Sequence, residues 1–302
     1  MTEDRSKFKL KDIPSLIVDT YKAWMANDPW RLSAVVAYYA VLSLPALLVI
    51  IINIVGSIWG VDIVQGRLTD EFSSALGREA ATAIEGIISE TQHEKKNLIS
   101  TIIGIGTLLF GATGVFYQLK ISLNQIWQVR PDPNARVWKL ITDRARSFAF
   151  ILVIGFLLLT SFILTAAISA LNSYIKKLFP DLVLYIAYLM DILISVGIIS
   201  VLFALMFKYL PDVKIKWKTV WKGAILTSVL FVVGKTLLGL YFAEAAPGST
   251  YGAAGTVVLI LLWVSYSCLI LFFGAQFTYI YARRYGQGIT PSSVAKKIKS
   301  TS

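Results

Sequence analysis

Six long apolar stretches constrain this chain more than any other feature of its sequence. A helix needs about 20 apolar residues to cross a hydrocarbon core about 30 Å thick, because it rises about 1.5 Å per residue. The stretches are Leu32–Trp59, Leu98–Leu119, Ser147–Ile175, Leu182–Phe207, Gly223–Ala243 and Thr256–Tyr281. The sequence therefore predicts an all-α integral membrane protein with about six transmembrane helices.

The composition supports lipid as the solvent. Of the 302 residues, 56% are hydrophobic and only 16% are charged, whereas soluble domains carry about 25% charged residues. The single cysteine, Cys268, and the single histidine, His93, cannot form an intramolecular disulfide or a Cys/His zinc cluster. We expect no metal site and no cofactor.

The distribution of Lys and Arg predicts the orientation in the membrane. Six of these residues lie in 1–31, six in the connection 120–146, five in the connection 208–222 and five from Arg283 to the C-terminus. The intervening connections carry four, two and none. By the positive-inside rule both termini are cytoplasmic. The net charge of +11 is then explained by contact with anionic lipid on the cytoplasmic side, and no nucleic-acid partner is required.

The sequence predicts that the chain is divided into three segments. A cytoplasmic arm covers residues 1–29, a six-helix domain covers 30–284 with an external loop at 60–97, and a flexible cytoplasmic tail covers 285–302. The apolar run from Leu32, free of charges, is expected to be a retained signal anchor.

The arm and the external loop carry amphipathic patterns. In the arm, apolar residues at helical spacing predict a helix on the cytoplasmic leaflet that ends at Asp28 and Pro29. In the external loop, a second set predicts one or two short helices. The residues are Ile13, Leu16, Ile17, Tyr21 and Trp24 in the arm, and Val64, Leu68, Phe72, Leu76, Ile84, Ile87 and Ile88 in the loop.

Two charged residues lie inside predicted spans at matched depth, Asp191 in the fourth and Lys235 in the fifth. A charge near the bilayer centre costs about 2.5 to 3.5 kcal/mol on insertion scales, so such residues usually face the bundle interior and pair. Polar or small residues share their helical faces, namely Tyr188 and Ser195 with Asp191, and Ser228 and Gly239 with Lys235.

We hypothesise that these faces form a seam that lines a substrate or proton pathway. Lys235 would hold an anionic group, and Asp191 would be its counter-charge or proton acceptor. The alternative is a structural ion pair, either between these two residues or between Lys235 and Glu244 at the outer edge. The sequence leaves both open.

Pro45 interrupts the first span. It removes a backbone hydrogen bond and favours a kink, which is either a gate hinge or, more commonly, a packing bend. No catalytic residues are predicted, because the sequence contains no paired catalytic carboxylates, nucleophile elbow, phosphate-binding glycine loop or metal-ligand cluster at recognisable spacing. The chain is therefore not expected to be an enzyme.

Several segments resemble the YihY/BrkB family of bacterial inner-membrane proteins. They are Ala37–Pro45, Gln118–Lys120, Leu123–Trp127, Tyr209–Val213 with Trp217, Gly223–Ala224, Gly234–Lys235, Tyr241, Ser249–Gly252, Leu261–Trp263 and Gly274–Gln276. Where relatives often have Ala-Glu in span six, this chain has Ala275-Gln276 and so lacks that charge.

The resemblance implies six spans in the cytoplasmic membrane. Members of the family have been labelled ribonuclease BN, which we regard as a misattribution, and virulence factors, and a role in moving lipid or another envelope component has been suggested. Our main hypothesis is a transporter or lipid translocase of unknown substrate. The competing hypothesis is a non-transporting scaffold or envelope-assembly factor, and a ribonuclease is disfavoured.

Overall fold

The fold is mostly helical in a computed structural model that describes residues 8–76, 85–86, 114–131, 180–245, 254–286, 288–292 and 295–297. The helices are α1 (Ile13–Ala26), α2 (Pro29–Trp59), α3 (Val61–Leu76), α4 (114–126), α5 (Pro180–Tyr209), α6 (Trp217–Ala245) and α7 (Gly255–Arg284). A 3-10 turn, Leu10–Asp12, precedes α1. The strands are β1 (Val129–Pro131), β2 (Val213–Lys214), β3 (Thr290–Pro291) and β4 (Ala295–Lys297).

Four of the six predicted spans, the first, fourth, fifth and sixth, are helical over their full predicted length. The second is described only from residue 114, where it is helical, and the third lies outside the described residues. Within the described part, Trp217–Phe242 and Val257–Arg284 are long and apolar enough to cross a membrane, and Leu193–Tyr209 is a shorter apolar helix.

Local sequence explains where the N-terminal helices begin and end. The predicted boundary at Asp28 and Pro29 is confirmed, because α1 ends at Ala26 and Pro29 is the first residue of α2. Proline suits a first helical turn, where no backbone donor is needed. Gly60, with φ of 93°, joins α2 to α3, and this backbone conformation is accessible mainly to glycine.

The segment predicted to be an external loop contains the helix α3, in agreement with the one or two short helices expected there. Val64, on the predicted apolar face of α3, is buried. Of the second predicted helix only residues 85 and 86 are described, and they are helical. α2 continues as a helix through Pro45, whose side chain lies outside the described part of the structure, so its hinge role stays a prediction.

Contacts divide the chain into two units. Unit 1 comprises Met1–Ala23, Leu123–Val232 and Phe273–Ser302, and unit 2 comprises Trp24–Ser122 and Val233–Phe272. In unit 1 the Trp127 and Phe207 rings are fully buried, with 6.2 Å between their centroids. In unit 2, Phe242, Leu259 and Ile260 form a cluster against which Val41, Leu238, Trp263 and Val264 pack.

The C-terminal segment differs from the flexible tail predicted from residue 285. Within unit 1, β3 pairs antiparallel with β2, and β4 pairs antiparallel with β1. The Ser292 backbone N–H also donates to the Asp212 carbonyl at 2.9 Å. Main-chain hydrogen bonds therefore hold this segment in place. Flexibility was predicted from the polar composition of the segment, and composition carries no information about strand pairing.

Candidate functional site around Lys235 and the helix ends

Lys235 lies on a membrane-length apolar helix and is exposed. It follows Ser228 and precedes Phe242 by seven residues each, and both of these residues are buried. Residues seven apart share one side of a helix. Lys235 is therefore exposed, although the residues two turns before it and two turns after it on the same side of α6 are buried.

The space beside Lys235 is open. Gly239, one turn further along α6, has no atom of the described residues within 4 Å of the position that a Cβ would occupy. The exposed apolar residues of this part of α6 lie on the side of the helix away from Lys235, and they are Val233, Leu237, Leu240 and Tyr241. Among the residues that the structure describes, the Lys235 ammonium has no hydrogen-bond or ion-pair partner. The arrangement places one exposed cation beside open space.

The other predicted site residues do not all meet Lys235. Ser228 is fully buried, and its hydroxyl lies 2.6 Å from that of Ser200 on α5. Ser195 on α5 and Glu244 near the end of α6 are exposed. No ion pair joins Lys235 to Glu244, both of which have described side chains, and the nine residues between them correspond to about 13 Å of helix.

The side chains of Asp191 and Tyr188 lie outside the described part of the structure. Their backbone belongs to α5. The pairing of Asp191 with Lys235 therefore stays a prediction, and so does the polar seam. Ser228 is a contact between α5 and α6 in this conformation, in which its hydroxyl also donates to the Ile225 carbonyl at 2.9 Å.

Unit 1 contains a largely buried polar junction that was not predicted from the sequence. We use "polar junction" for Asn124, Trp127, Gln128, Asp212 and Tyr279. Asn124 Oδ1 accepts from the Asp212 backbone N–H at 2.8 Å, and Asn124 Nδ2 donates to Asp212 Oδ2 at 3.1 Å. Both residues are buried. Two hydrogen bonds thus hold the loop after α5 to the end of α4.

Two further hydrogen bonds connect the same region to α7. Trp127 Nε1 donates to the Ala275 carbonyl at 2.9 Å, and the Tyr279 hydroxyl donates to Gln128 Oε1 at 2.8 Å. Gln128 has φ of 55°, a left-handed conformation that non-glycine residues seldom adopt. The polar junction therefore joins three chain segments that are remote in sequence.

The polar junction yields a stability prediction. We expect Asn124→Ala to lower the free energy of unfolding by about 1 to 3 kcal/mol, because it leaves the buried Asp212 N–H without its acceptor. The exchange Asn124→Asp with Asp212→Asn keeps both hydrogen bonds possible and should recover much of that loss. SDS-induced unfolding of the purified protein measures both. Wild-type stability of Asn124→Ala would contradict this account of the junction.

α6 and α7 contact each other through a reciprocal pair of glycines and threonines in unit 1. Gly223 and Thr227 lie one turn apart on α6, and Gly274 and Thr278 lie one turn apart on α7. A Cβ added at Gly223 would overlap Thr278 Oγ1, and one added at Gly274 would overlap Thr227 Oγ1. Small residues at such positions let helix backbones approach closely in membranes.

Charged and aromatic residues lie at the neighbouring ends of α6 and α7. Lys222 Nζ donates to the Tyr281 hydroxyl at 2.6 Å and lies 5.3 Å from the Phe8 ring centroid. Arg284 forms an ion pair with Asp19 of α1. Desolvation and the Asp12 carboxylate raise the pKa of Tyr285, and Arg284 opposes them. Tyr285 therefore remains a neutral hydrogen-bond donor at neutral pH.

The long apolar helices have the length and composition of membrane spans, and they meet through glycines and buried hydroxyls, as helices of α-helical membrane proteins do. Residues 20–299 match the family described as virulence factor BrkB. The chain belongs to this family, which confirms the resemblance noted from its sequence motifs. No solved structure matches the chain.

Relatives with curated names are also membrane proteins of bacteria. A UPF0761 membrane protein of Verminephrobacter eiseniae is 26% identical over 72% of this chain and 49% of the relative. One of Idiomarina loihiensis is 27% identical over 59% and 60%, and one of Pseudomonas aeruginosa is 28% identical over 70% and 48%. The chain spans about half the length of these relatives, and their names state no substrate.

Proposed function

We propose that this protein is a transporter or lipid translocase of the bacterial cytoplasmic membrane, with a pathway that passes the Lys235 side of α6. The observation that carries the proposal is an exposed lysine within an apolar, membrane-length helix. Phe242, the last residue of the apolar segment, is seven residues away, or about 10 Å along the helix. A charge at this depth is costly, and intramembrane charges commonly mark substrate pathways.

The surroundings of Lys235 suit an anionic headgroup. The ammonium can attract a phosphate or a carboxylate. The open space beside Gly239 leaves room for such a group. We propose no enzymatic activity, and purified protein is expected not to degrade RNA.

Reconstitution into liposomes tests this proposal. Vesicles that contain the protein should scramble a fluorescent anionic phospholipid, or conduct an ion, faster than vesicles without protein. Absence of both activities in protein of verified fold would favour the competing function, a scaffold or envelope-assembly factor. The polar junction and the Gly–Thr contacts supply the specific observation for that alternative, because both hold helices together and neither provides an opening.

The proposal includes six spans with both termini in the cytoplasm. It is supported by the basic connections and by the helices found at four predicted spans. Single cysteines at Ser6, Asn134 and Ser293 should react with an impermeant reagent only from the cytoplasmic side. A cysteine at Ser89 should react only from outside. External labelling at Asn134 would exclude this topology.

A further inference from the structure

The N-terminal helix α1 carries an exposed apolar stripe. Ile13, Ile17 and Tyr21 are spaced four residues apart and are 38%, 45% and 54% exposed. Val18 and Met25 extend the same surface and are exposed as well. The sequence grouped Leu16 with these residues on one face, but Leu16 is buried. The apolar residues of α1 are thus divided between a buried side and an exposed side.

Contacts within unit 1 hold α1 at the ends of two membrane-length helices. Arg284, the last residue of α7, contacts Asp19 and also donates to the Ser15 hydroxyl at 3.3 Å. Phe8, just before α1, packs on the Tyr281 and Tyr285 rings with centroid distances of 5.7 and 5.4 Å. Lys222 near the start of α6 lies against Phe8. These contacts hold α1 beside the ends of α6 and α7, where two of the predicted spans end.

We infer that the exposed stripe of α1 binds the surface of the lipid bilayer, with anionic headgroups as the preferred partner. A helix at the level where spans end meets the interface between headgroups and acyl chains, and an amphipathic helix inserts its apolar face about 5 to 10 Å there. Lys11 and Lys22 are exposed beside the stripe. Lysines on the polar side of such a helix attract anionic lipid.

The inference is independent of transport. A scaffold and a transporter would both use α1 in this way, so failure of one proposal leaves the other intact. The ion pair between Arg284 and Asp19 fixes the rotation of α1, because Asp19 lies on the side of the helix away from Ile17. The exposed apolar stripe is therefore oriented before any lipid binds, and its contact with the bilayer needs little reorganisation of the protein.

Fluorescence quenching tests the inference on the full chain. A cysteine replaces Ile17 in a Cys268→Ala background, is labelled with an environment-sensitive fluorophore, and is reconstituted into vesicles of phosphatidylcholine and phosphatidylglycerol. The matched control is Ala26→Cys, which is exposed and lies two and a half turns from Ile17 on the same helix. Brominated lipids should quench the Ile17 probe several-fold more than the Ala26 probe. Removing phosphatidylglycerol should reduce that difference.

Soluble iodide separates the remaining outcomes. Strong iodide quenching at Ile17, equal to that at Ala26, means that the stripe faces water and overturns the inference. Protection from both iodide and brominated lipid means that a protein surface, from another copy or a partner, covers the stripe, and this also overturns it. Tyr21→Cys provides a second site in the same stripe should Ile17→Cys fail to fold.

Discussion

Alanine at Gly223 or Gly274 is expected to destabilise the protein by about 1 to 3 kcal/mol, although glycine-to-alanine changes within helices normally favour the helix. Each added methyl group would overlap a threonine hydroxyl on the facing helix. The threonines cannot readily turn away, because each hydroxyl already donates to a carbonyl one turn earlier at 2.7 Å. α6 and α7 would have to separate, with loss of close packing along their contact.

Gly197→Ala is the matched control for this prediction. Gly197 lies within α5, and no atom of the residues described in the structure lies within 4 Å of its Cβ position. Its substitution should leave stability unchanged or raise it by less than about 1 kcal/mol. Unfolding in SDS, compared among the three variants, measures the difference. If Gly274→Ala proves as stable as Gly197→Ala, the reciprocal Gly–Thr contact does not exist as described.

A second substitution tests whether the methyl group added at position 274 destabilises the protein through its overlap with Thr227. Thr227→Gly removes every Thr227 side-chain atom near the added methyl group at position 274. The double variant Gly274→Ala with Thr227→Gly should therefore lose less stability than the sum of the single losses, because the two positions are in contact. Strict additivity would show that Gly274→Ala acts elsewhere.

Length and hydropathy predicted the helices well. The stretches Leu182–Phe207 and Gly223–Ala243 became α5 and α6, and each helix extends a few residues beyond its apolar core. A buried or lipid-facing helix must be continuously apolar, so its presence is visible locally. Its ends are less visible, because polar residues of a terminal turn can remain helical.

The polar junction could not be predicted in the same way. Asn124 and Asp212 are 88 residues apart, and nothing in either segment indicates the other. The pairing strands are only two or three residues long and carry no usable periodicity. Both residues do lie in segments that carry the family resemblance, so that resemblance was the available signal, although it assigned them no role.

The Gly–Thr contact, in contrast, corresponds to a pattern that can be recognised in the sequence. The pattern Gly-Ala-x-x-Thr occurs in both α6 and α7, at Gly223–Thr227 and Gly274–Thr278. Small residues spaced one turn apart in apolar helices indicate close packing. The pattern is only five residues long, which is too short to identify an internal repeat. Its occurrence in both α6 and α7 was the informative feature.

Lys235→Met is expected to reduce transport to near the background of empty vesicles while the protein stays folded. Methionine keeps the length and apolar stem of lysine and removes only the charge that would attract an anionic headgroup. Because Lys235 is exposed and has no described partner, the change leaves no described carboxylate stranded. Lys235→Arg, which keeps the charge, should retain partial activity.

The role of Asp191 is tested by the same substitution. If the two charges pair, Lys235→Met and Asp191→Asn should each lower stability more than the double variant does, because a lone charge in hydrocarbon is costly. If the losses of stability in the two single variants add up to the loss in the double variant, Lys235 does not pair with Asp191. The proposed pathway then keeps Lys235 as its cation, and Asp191 has another role.

Lipid scrambling by wild type, Lys235→Met and Lys218→Met at equal protein density tests the central claim most directly. Lys218 is exposed near the start of the same helix, outside the apolar core, so its substitution controls for loss of positive charge. We predict rapid loss of fluorescence from inner-leaflet anionic lipid with wild type and Lys218→Met, and a rate near that of empty vesicles with Lys235→Met. Scrambling by Lys235→Met at the wild-type rate would contradict a pathway at Lys235.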